Sequence, residues 1–194
     1  GTAKSSGSII VSTADAGTAG VSGSLSFSSG TASLGNSGSL WIGSGTATGG
    51  KGGFVSITVG EGDSGDGGDV TVTAGDTSAT TKTGGYVSIT AGKASSATKG
   101  HGGLIQMYAG VGAGNSGGSV IVHTGAGTAT SSGDVVVRTA NAGTSGVSGS
   151  LSFSSGTSSI GNSGALWIGS GDATEGQGGF VSITVGSGDT GDGG

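Results

Sequence analysis

Two histidines, eleven acidic residues and many hydroxyls are what this chain offers for chemistry. His101 lies in a long stretch between two candidate strands, and His123 at a position expected to face outward. Neither has an acidic partner at a fixed spacing, and an imidazole works as a base only when a second group orients it. No G-x-S-x-G elbow with triad partners is evident. The Gly-rich turns are followed by neither GK[ST] nor a helical pattern, so no phosphate cradle is read from them. No catalytic residue is assigned and no cofactor is expected; the chain reads as a non-enzyme.

The best metal candidate is the acidic set Glu61, Asp63, Asp66, Asp69 and Asp76, since carboxylates on neighbouring turns can hold Ca²⁺. Its spacing does not match the Ca²⁺-binding nonapeptide pattern, and Ser187 stands where a second copy would carry Glu61. We therefore read these residues as solvated turn acids and assign no metal site. Regular hydroxyl pairs form a second candidate: Ser56/Thr58, Thr71/Thr73 and Ser88/Thr90 recur at equivalent positions, as on ice-binding surfaces. The array breaks at Trp41/Gly43 and at Gln106/Tyr108.

The third candidate is apolar. Trp41, Phe54, Tyr86, Leu104, Tyr108, Trp167 and Phe180 occupy positions where a half-buried strand would face solvent. Large apolar side chains on an otherwise polar surface mark an interface. These seven residues are the expected interaction site.

The elements that must position them follow from composition and repetition. The chain has 194 residues, 50 of them Gly, with no Pro, no Cys and a formal net charge of −5. Only 9% of residues are charged while 31% are hydrophobic, the reverse of a disordered chain. The few Lys and Arg are scattered, so nucleic-acid binding is not expected. No apolar run approaches the roughly 20 residues that span a bilayer, and no membrane span is expected.

Residues 1–68 align without a gap to residues 127–194, as in GGFVSITVGEGDSGDGG (52–68) and GGFVSITVGSGDTGDGG (178–194). The long period is thus 126 residues: one full repeat over 1–126, then the start of a second copy over 127–194. Within it, a Gly opens each of eight shorter units, at Gly7, Gly23, Gly38, Gly53, Gly68, Gly85, Gly103 and Gly118, and the next copy restarts at Gly133. Self-similarity at a fixed period marks solenoids and arrays.

Each unit has one grammar. The second and fourth residues after the opening Gly are apolar, as in Leu25/Phe27, Val55/Ile57 and Val87/Ile89. The sixth is small or Val, and the first, third and fifth are mostly polar. Period-two alternation over six residues is a half-buried strand pattern. The second half of the unit carries small residues, such as Ala47, Gly62 and Gly112, where a shorter extended side would pack close to the first. These features predict an all-β fold, a thin β-solenoid of 15–18-residue coils with eight coils per 126-residue repeat. Its coils would stack at roughly 4.7–4.9 Å. The alternative architecture is a sandwich or meander of antiparallel hairpins, disfavoured by the strict unit length and the lack of Asn-Gly turns. Neither end has an atypical capping unit, so the chain is expected to be a window on a longer array.

The units GGDVTVTAGD, GGYVSITAG and SGSLSFSSGT resemble those of Gly/Ser/Thr-rich tandem-repeat extracellular proteins of diatoms and other algae. That resemblance implies a secreted or cell-surface structural protein; large bacterial surface adhesins carry comparable arrays. The expected function is an extracellular filament or fibrous cell-surface layer, built by head-to-tail and lateral self-association. Glycans are a further expected partner, through O-linked attachment to Ser and Thr in stretches such as 78–84 and 96–102. The alternative is an adhesin or an ice- or glycan-binding surface using the hydroxyl and aromatic arrays. An enzyme of the pectin-lyase type ranks last, for want of convergent acid and base residues.

Overall fold

A computed structural model describes residues 6–96 and 98–189. The backbone bends once per unit, at 18–20, 33–35, 48–50 and 63–65, then at 80–81, 98–99, 113–115 and 128–130, and again at 144–146, 159–161 and 174–176. The turning points therefore keep the phase of the short repeat, including the two longer intervals at the fifth and sixth units. Most bends close on Gly, as at Gly20, Gly35, Gly146 and Gly161, whose φ angles are +154°, +134°, +139° and +112°. Gly35 and Gly161 show why: that backbone region is essentially closed to any residue with a Cβ.

The predicted β-solenoid is not what the chain forms. Among the described residues there is no strand and no helix, and no hydrophobic residue is buried. The Val, Ile and Leu expected in a stacked core stand open instead: Leu25 is 52% exposed and Ile57 77%. The hydrogen bonds explain the difference. A solenoid needs a ladder joining each unit to the equivalent residues of the next. The backbone bonds here run across single loops, from Gly85 N to Gly75 O (2.8 Å), Gly103 N to Gly92 O (2.9 Å), Gly118 N to Gly110 O (2.9 Å) and Gly133 N to Gly125 O (3.1 Å). Alternation tells which side of a segment is apolar, but not what will cover it. Two inward side chains per unit give little burial to offset the ordering of a Gly-rich backbone, which costs about 1–2 kcal/mol per residue.

Order resides in the closure of each loop. The sixth residue of one unit touches the opening Gly of the next. A Cβ on Gly53 would lie 3.2 Å from the Ser44 Cβ, on Gly103 3.4 Å from the Ala91 Cβ, and on Gly179 3.4 Å from the Ser170 Cβ. At Gly68 it would be only 2.7 Å from Val59 Cγ1. Each loop is thus a small Ω-shaped excursion whose ends meet. The small residues of the second half serve this excursion rather than a second strand. A Cβ on Gly112 would lie 2.7 Å from Asn115 O, and one on Gly127 2.7 Å from Thr130 O, so the chain folds back on itself within a few residues.

The chain divides into two units by backbone proximity, Gly1–Thr90 and Ala91–Gly194. Among the described residues, Ala74 is half-buried in the first, and Ala91, Ala94 and Ala109 in the second. Three of these four alanines occupy the sixth position, against an opening Gly.

Candidate interaction surface

The local geometry retains a two-sided character in several segments, though not in the first, where Ile9 is more exposed than Ile10. Phe54 is 89% exposed while the adjacent Val55 is 55% exposed, and Phe180 and Val181 repeat the contrast at 89% and 53%. Gln106 Nε2 donates to the Tyr108 hydroxyl, so side chains two apart share a side, as alternation requires. Trp41, Tyr86, Leu104, Tyr108 and Trp167 are likewise open to solvent. Exposure does not set the seven apart, since the inward row is open as well: Leu104 is 71% exposed, while Ile9 and Ile183 of the inward row are 94% and 89%.

Six apolar residues outside that set are more exposed still, Ile9 at a second position and five in the loops. Leu34 and Ile160 sit within bends, and Val21, Val111 and Val147 lie in the loop halves of their units. Leu34 and Ile160 occupy equivalent positions in the two copies, as do Val21 and Val147. The signal was in the sequence: a branched apolar residue in a loop otherwise made of Gly, Ala, Ser, Thr and Asn has no local reason to be there.

The polar candidates are scattered. Among the described residues, no three or more His, Asp or Glu come together as a metal-binding group. In the acidic stretch the one side-chain bond is from Ser64 Oγ to Asp63 Oδ1, at 2.9 Å, between neighbours. His101 and His123 are exposed. With no sheet among the described residues, Ser56/Thr58, Thr71/Thr73 and Ser88/Thr90 are not held on a flat lattice. An open cleft is lined by the consecutive residues Arg138, Thr139, Ala140 and Asn141. The equivalent residues of the first copy are Ser12, Thr13, Ala14 and Asp15, so the cationic wall belongs to one copy alone.

Hydroxyls do have a role, in the loops. Thr13 Oγ1 donates to Gly23 O at 3.1 Å, and Thr139 Oγ1 to Gly149 O at the same 3.1 Å. Ser44 Oγ donates to Gly53 O at 2.8 Å. Each is a sixth-position side chain clasping an opening Gly. Sequence reasoning placed these residues correctly within the unit but gave them no task.

Among the described residues, no helix is long and apolar enough to cross a membrane, in line with the expectation that no helix does so. Comparison with protein-family models, with curated proteins and with solved structures found no match.

Proposed function

We propose that this chain is a structural repeat protein that associates with copies of itself, laterally and end to end, into an extracellular filament or fibrous cell-surface layer. One observation carries the reading: large apolar side chains recur in every unit, and among the described residues none is buried. Monomeric soluble proteins rarely leave extended apolar surface open, because covering it is worth about 25 cal/mol per Å². A chain whose own fold leaves so much of that surface open gains this term through neighbours. The repetition supports the same reading, since equivalent apolar residues recur at a fixed phase and present many copies of one weak contact. The role assigned is mechanical, with no catalytic step. Sugar rings stacking on Trp41 and Trp167 would be compatible with it.

Sedimentation velocity across a concentration series tests the proposal, with electron microscopy of the heaviest fraction. The expected result is mass that grows with concentration and elongated particles in the images. A single species at the monomer mass at every concentration would overturn it.

A further inference from the structure

The heptapeptide GFVSITV occurs twice without change, as residues 53–59 and 179–185. It contains no charge and no Pro, and four of its seven residues, Val55, Ile57, Thr58 and Val59, are β-branched. Among the described residues, no backbone hydrogen bond involves residues 54–59. An exposed, unpaired, uncharged segment of this composition is a template for another strand. What decides the partner is the pair of charges outside it. Lys51 and Glu61 lie five residues to either side of Ser56, with no other charged residue between them.

From that symmetry we infer that residues 51–61 pair antiparallel with the same residues of a second copy of the chain, centred on Ser56; the inference rests on the self-association reading above. In that register Lys51 stands opposite Glu61 of the second chain, and Glu61 opposite its Lys51. Val55 meets Ile57 and Phe54 meets Thr58. Period two puts Lys51, Val55, Ile57, Val59 and Glu61 on one side of the pairing and Phe54, Ser56 and Thr58 on the other. A parallel in-register pairing would instead set Lys51 on Lys51 and Glu61 on Glu61, and like charges directly opposed are unfavourable. Gln177 and Ser187 replace the two charges in the second copy, so residues 177–187 carry the same pairing core without a preferred direction. One copy sets orientation and the other adds a second point of attachment. A two-stranded pair alone is marginal, so two attachment points per chain are what let pairing grow into an assembly.

The test is sedimentation velocity of the full chain at low ionic strength, comparing wild type with Lys51→Glu, with Glu61→Lys and with the double exchange. Lys93→Glu, away from the segment, serves as a control that makes the same change of net charge as Lys51→Glu, and Asp76→Lys as one that makes the same change as Glu61→Lys. Each single variant places two like-charge pairs across the contact. It is expected to raise the concentration at half-association by about tenfold. The double exchange restores both opposite pairs and is expected to return the midpoint to the wild-type value, with both controls close to wild type throughout. If wild type associates but the single variants match their controls, or the double exchange fails to restore, the pairing is overturned while self-association stands. If wild type does not associate at all, the self-association reading falls and this inference with it.

Discussion

Among the described residues, two kinds of hydrogen bond close loops of this chain. At Thr13, Ser44 and Thr139 a side-chain hydroxyl reaches across to the carbonyl of the next opening Gly. At Gly75, Gly92, Gly110 and Gly125 the carbonyl of the seventh residue accepts from the N–H of that Gly. The second kind always has Gly in the seventh position, where the absence of a side chain lets two backbones meet. The Thr13 and Thr139 clasps have Ala14 and Ala140 there instead, whereas the Ser44 clasp has Gly45. Thr124 is the instructive case. It is a Thr like Thr13, yet its loop closes by backbone, from Gly133 N to Gly125 O, with Gly125 following it. Neither position alone decides the mode: Thr124 closes by backbone although it carries a hydroxyl, and Ser44 closes by its hydroxyl although Gly45 follows it. The two modes differ in what they tolerate. A backbone clasp depends on the space inside its loop, whereas a hydroxyl clasp depends on one functional group.

The largest effect is expected from filling a loop that closes by backbone. Gly112→Ala would set a Cβ 2.7 Å from Asn115 O, inside the loop spanned by the Gly118 N to Gly110 O bond. Overpacking of that kind costs about 1–3 kcal/mol. Amide exchange at Gly118 should accelerate roughly ten- to hundredfold by the same scale, and unchanged exchange would show that this closure does not need the space. Gly161→Ala comes next, because φ +112° must be abandoned, at a cost of about 1–2 kcal/mol. The equivalent change Gly35→Ala should displace its own bend similarly, seen in backbone chemical shifts over 33–35 and 159–161. Opposite responses from the two copies would break the equivalence drawn between them.

Smaller still is the loss of a hydroxyl. Thr13→Val and Thr139→Val each remove an exposed hydrogen bond, worth at most about 0.5–1 kcal/mol. The carbonyl ¹³C shifts of Gly23 and Gly149 should move. Thr124→Val should leave Gly133 amide exchange nearly unchanged, since the backbone bond closes that loop. The smallest and sharpest test is Ala140→Gly in the Thr139→Val background. If the seventh residue governs closure, slowed amide exchange should appear at Gly149, and its absence would return the decision to the sixth residue.

Much of the local structure was legible in the sequence. The opening glycines predicted where loops end, and the longer units predicted that the bends at 80–81 and 98–99 would be spaced further apart than their neighbours. Alternation predicted that Phe54 would be more open than Val55. The step that failed was from periodicity to a stacked ladder. Repetition at a fixed interval reports that each unit does the same thing, and doing the same thing includes closing one's own loop. The hydrogen-bonding groups of Gly85 and Gly75 could satisfy a neighbouring coil or each other, and nothing in their spacing separates those outcomes. Small residues such as Gly112 were read as room for a second strand, when a tight reversal makes the same demand. For the candidate surface, residue type pointed to Trp41 and Phe54, while Leu34 and Ile160 lie in bends, outside the alternation that marks outward positions.

The clasp between the sixth residue and the next opening Gly has a bearing on how such a chain changes in length. The same two ends meet across the short loop from Ser44 to Gly53 and across the longer ones from Ala74 to Gly85 and from Ala91 to Gly103. Loop-closure entropy rises only slowly with length, so an extra residue or two between fixed ends costs a fraction of a kcal/mol. Since each closure refers only to the adjoining unit, duplicating or deleting a whole unit leaves every other closure intact. Unequal recombination in a gene of this kind would therefore yield shorter and longer proteins that are locally sound, with length free to drift under whatever selects for reach.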